Sequence, residues 1–423
     1  MAAQEVEERH GVSSSETGEA GRERRLPSWI RIGAELRARA EVTIDSEQAF
    51  DDRQMLGRVR VNVLAQPVRW MRVYFEGQDA RAFRLNAGLP PEGGRNSFDV
   101  RQGYIEFGSA EQGFQARIGR QELSVGDERL VGADNYWDPF GLAFDAVRLA
   151  YSGQRLQAQM FTGFRVEPGR QRPDGFDTGS RISGLTTQIK TGWRDGVIEP
   201  YLLWKRGGDS MDLMENPGHR DVVTPGFRVL GNMASRIDYN VEMALQRGHV
   251  VGDRISAWGG HWEMGWRPLG ADTGPRVSVE YNYGSGDKDP SDGRYDTFDD
   301  LFPAGFNANG ITDPFAWRNI RFPAINAEVP LTRRWTAFGS WRSYWLATVR
   351  DGLYPGGDFF MVRNPDARSS HIGRQFFVSG AYNRSPRWRL YGGYGHLFPG
   401  DYLRQSGCPS AAHTVYLLSS VTF

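Results

Sequence analysis

Cysteine is almost missing from this 423-residue chain: Cys408 stands alone, which excludes an intramolecular disulfide and any multi-cysteine metal site. Lysine is nearly as scarce. Lys190, Lys205 and Lys288 are the only lysines among 51 basic residues, so positive charge is carried by arginine, whose planar fork grips carboxylates in two places. A GC-rich coding sequence produces the same bias. No apolar run approaches the roughly 18 residues that a spanning helix needs, which excludes a helical membrane protein. The 51 basic and 51 acidic residues cancel, so net charge gives no argument for nucleic acid. The seven histidines show no metal-ligand spacing, and no Gly-x-Ser-x-Gly elbow or phosphate loop is present. The expectation is therefore a protein without catalytic residues or cofactor.

Met1 to Leu26 is polar and charged throughout, with none of the apolar stretch of an export signal. It reads as a disordered tail, residues 1–28, on a mature form or behind a misassigned start.

Against these absences stands a persistent period of two. From Trp29 to Thr43, Ile30, Ile32, Ala34, Leu36, Ala38, Ala40 and Val42 alternate with Arg31, Gly33, Glu35, Arg37, Arg39 and Glu41. A strand this long, with one apolar and one charged face, fits a wall between lipid and water better than a sandwich strand. Residues 55–65, 155–165, 237–246, 255–266 and 276–283 repeat the pattern, the last two with aromatics on the apolar face, as interfacial girdles require. Fainter strands fall near 70–79, 98–108, 114–121, 144–152, 182–193, 197–206, 223–231, 323–330, 335–347, 370–382, 387–395 and 413–423. Short turns alternate with long polar stretches at 84–97, 207–221, 284–316 and 351–369. The pattern predicts an all-β fold: one transmembrane antiparallel β-barrel of about 18 strands over residues 29–423, with short periplasmic turns and long outer loops, in a bacterial outer membrane.

Particular stretches carry a resemblance. Tyr104, Glu106 and Phe107 lead into GRQELSVGDERLVG (Gly119 to Gly132), followed by FDAVRLAY (Phe144 to Tyr151), SGDKDPSDGRYDTFDDLFPAG (Ser285 to Gly305) and PGDYL (Pro399 to Leu403). In this order they resemble the alginate export family of outer-membrane channels. The resemblance implies an eighteen-stranded barrel whose arginine-rich lumen passes an anionic polysaccharide, a polyuronate, outward, with a periplasmic scaffold protein as a possible partner. The chain departs from the family after Ile372 and Gly373, where Gln375 and Phe377 replace expected acidic residues. That departure touches substrate identity more than architecture.

The resemblance singles out Arg120, Arg129, Arg148, Arg342 and Arg389 as forked donors for a sugar carboxylate. Arg60 joins them on facing alone, and Glu106 and Glu280 are the acidic residues expected along the pore. Arginines and glutamates opposed inside a barrel also pair with each other across strands. Asp287, Asp289 and Asp292, in the acidic run up to Asp300, loosely resemble a calcium loop without EF-hand spacing. A solvated outer loop is the plainer reading. Two other functions fit less closely: a general or anion-preferring porin for small solutes, and an outer-membrane hydrolase in which His261 pairs with a serine.

Overall fold

The computed structural model describes residues 27–45, 51–84, 95–108, 113–133, 141–167, 175–208, 210–211, 216–270, 274–304, 315–354 and 362–423. The expected tail, residues 1–28, falls outside these except for Pro27 and Ser28. Eighteen long strands run in chain order: β1 (Ile30–Asp45), β2 (Asp51–Val68), β3 (Met71–Arg84), β4 (Arg95–Gly108), β5 (Gly113–Gln121) and β6 (Phe144–Ser152). Then follow β7 (Leu156–Glu167), β8 (Gly175–Lys190), β9 (Val197–Gly207), β10 (Arg220–Ala234), β11 (Ile237–Val250) and β12 (Asp253–Trp266). The circuit ends with β13 (Arg276–Gly284), β14 (Ile320–Pro330), β15 (Trp335–Leu346), β16 (His371–Ser385), β17 (Trp388–Pro399) and β18 (Ala412–Thr422).

Each strand pairs antiparallel with its successor, and β18 returns to β1 through register pairs running from Glu35↔Thr422 to Asp45↔Ala412. Closure leaves no open edge, the condition for strands to cross a bilayer. Turns at 69–70, 153–155, 235–236 and 386–387 mark one rim, and long connections at 122–143, 285–319, 347–370 and 400–411 the other. One outer connection is short, at Val251 and Gly252, where Val251 adopts a φ of 55°.

The alternation sorts side chains as the sequence predicts. Ile32, Leu36, Val59, Val61, Ile118, Leu245, Met264 and Val279 stand exposed on the outer wall. Their strand neighbours Arg58, Arg60, Glu242, His261 and Ser278 are buried on the inner one. Trp29, Trp70, Trp193, Trp266, Trp335 and Trp388 are exposed at the short-turn ends of their strands and form one aromatic girdle.

The interior departs from the solvated-loop reading of the Asp287 to Asp300 run, of which Asp289 and Asp292 are exposed but Asp287, Asp299 and Asp300 are buried. The described stretches 122–133, 285–304 and 315–319 fold into the barrel, where Leu123, Val125, Leu130, Val131, Phe298, Leu301, Phe302 and Trp317 are buried. They pack against inward apolar residues near the outer ends of strands, including Phe144, Ile182, Leu203, Val222, Ile255, Phe322 and Tyr344. The two loops join as a parallel bridge, Val131 to Phe302. Gly132 donates to the Phe302 carbonyl and Phe302 to the Leu130 carbonyl, both at 2.9 Å. Loop backbone inside a barrel must be satisfied by protein, and these bonds do that. Gly119 permits the close approach behind the first loop: its φ is 128°, and a Cβ there would meet the Gly103 carbonyl oxygen.

Candidate functional site: the channel lumen

Strand register divides the inner wall into three sectors. On β1 to β6 it carries Arg31, Arg37, Arg39, Arg58 and Arg60, then Arg72, Arg117 and Arg148. Fewer carboxylates accompany them, namely Glu35, Glu41, Glu76, Asp99 and Glu106. Pairing is shared: Glu35 receives both Arg37 (2.9 Å) and Arg58 (2.8 Å), and Glu106 receives Arg117 (2.6 Å) as well as Arg72. Arg60 donates to Gln78 at 2.6 Å, with Glu76 farther off at 3.9 Å. Arg148 donates to Gln115 (2.9 Å), and Arg117 lies 4.1 Å over the Tyr104 ring. This sector is net positive.

Nearly opposite on the circuit, β9 to β13 carry Glu199, Asp238, Glu242, Glu263 and Glu280 against Arg228 and Arg276, while Lys205 and Arg220, inward nearer the outer end of β9 and β10, turn to the second loop. Arg228 bonds Glu199 and Asn240, each at 2.9 Å, Tyr201 donates to Glu242 (2.8 Å), and Arg276 reaches Glu263 (2.8 Å) and Asp238. This sector is net negative. Between them, β15 to β18 present a largely uncharged panel of Phe338, Phe377, Tyr391, Tyr416 and Leu418.

The first inner loop leaves β5 and docks on the negative sector. Arg129 pairs with Asp127 (2.9 Å), donates to Asn282 (3.3 Å), and comes 3.3 Å from the His261 Nε2. The His261 Nδ1 is 2.8 Å from the Asn282 amide oxygen, so both ring nitrogens are engaged by these two partners. The second loop is pinned by one carboxylate. Asp299 is 2% exposed and receives Lys205 (3.2 Å), Arg220 (2.7 Å) and Arg318 (3.2 Å). Burial raises its pKa, but those three cations outweigh burial and hold it well below the usual carboxylate range.

The residues expected at the pore are therefore dispersed. Arg60, Arg148 and Glu106 lie in the positive sector and Glu280 in the negative one, where Asn282 (2.6 Å) and Asn326 (2.9 Å) donate to it. Arg342 faces the lumen from β15, its guanidinium 5.7 Å from the Phe322 centroid. Arg389 pairs with Ser420 at the short-turn end of β17. Arg129 is on the inner loop. Arg120 takes the other direction: it shares the outward parity of Ile118, and its forked pair with Asp145 (2.9 and 3.1 Å) lies on the outer wall. A glycine-rich motif does not disclose its facing, and only register across β4 to β6 does.

The calcium-loop comparison also changes. Asp289 accepts from the Ser291 N–H (3.1 Å), Asp292 from Arg294 (2.9 Å), and Asp287 from Asp289 (2.9 Å). Among the described residues no group of three or more His, Cys, Asp and Glu gathers in a metal-binding arrangement, and these carboxylates stabilise loop turns instead. The loop anchors Lys205, Arg220, Asp299 and Arg318 escaped the sequence reading because the strand cations lie up to 94 residues from Asp299. Lys205, one of three lysines and on an inward position, was the single available signal.

A closed barrel with an apolar belt outside and a charged, loop-narrowed interior defines the class: a bacterial outer-membrane channel that contacts lipid and passes solute. More particularly, the model of the alginate export family matches residues 28–416, and the chain belongs to that family. No curated protein sequence matches. In three dimensions the chain is similar to Pseudomonas aeruginosa OccK1 (OpdK), with a TM-score of 0.63 at 9% identity over 93% of this chain and 98% of that one. It is also similar to OccK11 (OpdR) of the same organism, with a TM-score of 0.60 at 10% identity over 93% and 96%. At such identities the likeness is one of fold.

Proposed function

We propose that the channel passes anionic solutes along the positive sector, with an acidic glycan of the uronate kind as the solute its family implies. The observation that carries this is the excess of inward arginines on β1 to β6, several of which share a carboxylate instead of each owning one. The surplus of fixed positive charge over carboxylates attracts a passing anion, and arginine keeps its proton at any ordinary pH. Low-dielectric walls strengthen the field of such charges. Each contact must stay weak for the solute to leave, so a ladder of moderate sites suits transport better than one tight site.

A second reading is favoured by one observation. The inner loops narrow the lumen, which suits small anions, and OpdK, one of the structural neighbours, was crystallised with vanillate, a small carboxylate. Current noise in planar bilayers separates the two. Oligouronates of increasing length should produce blocks of increasing duration if a glycan threads the pore. Length-independent blocks, equal to those of a monocarboxylate, would assign the channel to small anions. A periplasmic scaffold partner belongs to the glycan reading only.

A further inference from the structure

Besides the Arg120–Asp145 pair, the outer wall carries a second polar cluster, on β17 and β18. On β17 and β18 the outward positions are apolar or aromatic, as at Phe398, Val415 and Leu417, yet Tyr394, His396 and His413 share that face. His396 and His413 stand directly opposite in the register. Their Nδ1 atoms are 2.9 Å apart, and the Tyr394 hydroxyl is 2.8 Å from the His413 Nδ1. The rings lie 4.1 Å apart between centroids, and Phe398 packs edge-on against His396 at 3.9 Å.

The height is informative. Trp388 marks the short-turn girdle, and His396 lies eight residues farther along β17, roughly 26 Å at 3.3 Å per residue. With a barrel strand's tilt this puts the cluster near the outer edge of an apolar band about 25 Å tall. Polar side chains facing lipid are costly unless satisfied, and the described partners of these three donors and acceptors are one another.

The geometry points to a copper(II) site formed by His396 Nδ1 and His413 Nδ1, with the Tyr394 oxygen beside them. Two nitrogens at about 2.0 to 2.1 Å from one metal and at right angles to it lie about 2.9 Å apart, whereas a tetrahedral angle spreads them to about 3.3 Å. The observed separation matches the right angle, which is the preference of copper(II) and nickel(II), and copper(II) binds more tightly of the two. No proton is lost overall. The hydrogen now between the rings belongs to one Nδ1, and coordination requires that ring to carry it on Nε2 instead. The remaining positions on the metal face the headgroup layer and take water.

The test uses the untagged full chain folded in detergent and titrated with copper(II), then with zinc(II). One equivalent of copper should bind, with an electron paramagnetic resonance spectrum showing hyperfine coupling to two imidazole nitrogens, and zinc should bind more weakly. His396→Gln or His413→Gln should weaken copper binding by roughly tenfold or more. Tyr394→Phe, which preserves ring packing, should retain the two-nitrogen signature. The inference is overturned if copper shows no saturable binding, if the spectrum shows fewer than two nitrogens, or if the double histidine variant binds as wild type does. Circular dichroism and heat-resistant gel mobility of the variants report whether the barrel has closed.

Discussion

Asp299→Asn tests how the inner loops are held. Asp299 is buried among Lys205, Arg220 and Arg318, all within 3.2 Å. Only Arg318 keeps another acid, Asp300 at 2.6 Å. Removing one partner of a buried ion pair costs about 3 to 5 kcal/mol, because the charges left behind remain desolvated. Asp299 also accepts from the Leu301 N–H (2.8 Å), which helps fix Leu301 at a φ of 62°. A left-handed backbone at a non-glycine residue costs about 1 to 3 kcal/mol, and it persists only when its surroundings enforce it. Taking the lower figure of about 3 kcal/mol for the lost charge, the loop should open roughly 100-fold more often, since 1.36 kcal/mol is tenfold. Hydrogen exchange measures this at Phe298, Phe302 and Ala304, whose amides donate to Ser285, Leu130 and Glu128. Their exchange should quicken by that factor, while amides of β1 and β2 keep wild-type protection. Single-channel conductance should rise as the loop leaves the lumen. Unchanged exchange at those three amides would refute the anchoring role. The pH dependence has a defined sign: a depressed folded pKa means Asp299 contributes docking stability above the unfolded value near 3.8, lost as pH falls through the folded value.

Asp287 behaves oppositely. Burial, opposed by the Asp289 N–H and reinforced by Asp351, Asp296 and Asp292, pushes its carboxyl from 3.8 up to about 6. An acid with a raised folded pKa favours docking while protonated, so amide protection factors in residues 285–304, corrected for intrinsic exchange at each pH, should be higher at pH 5 than at pH 8, and Asp287→Asn should remove that difference. Leu36→Arg places a charge on the lipid face and should cost about 2 to 4 kcal/mol in bilayer refolding, with Arg37→Leu costing less; equal outcomes would invalidate the facing assignment. Asp292 is exposed at the tip of the second loop, so an epitope inserted there should be labelled on intact cells, and protection from labelling would mean the loop lies on the periplasmic side. Arg120→Glu should leave ion selectivity unchanged because Arg120 faces outward, and a clear shift would contradict that placement.

The barrel was legible because its rule is local. A period of two is written in consecutive residues, so Ile30 to Val42 or Ile237 to Leu245 disclose strand, facing and membrane setting together. The faint strands at 114–121 and 144–152 agree with β5 and β6 to within a residue. The lumen was only half legible for the same reason. Arg60, Arg148, Glu106 and Glu280 lie on alternating strands and their facing follows from parity. Arg120 sits beside a glycine with positive φ, where the motif gives no facing. The inward folding of the loops depends on contacts such as Arg220 with Asp299 and Val131 with Phe302, between segments far apart in the chain, and polarity alone made the Asp287 to Asp300 run look solvated.

The central claim is that the positive sector sets selectivity, and the reversal potential of the wild-type channel in a planar bilayer under a salt gradient tests it most directly. The account predicts anion preference that persists from acid to alkaline solution, since arginine does not titrate there. It should weaken as the Debye length falls from roughly 10 Å at 0.1 M salt to roughly 3 Å at 1 M. Changing Arg58 with Arg60, or Arg117 with Arg148, to glutamate should move the potential toward cations. Cation preference in the wild type, or no movement in either paired variant, would contradict the account by showing that these arginines serve only the carboxylates of their own wall.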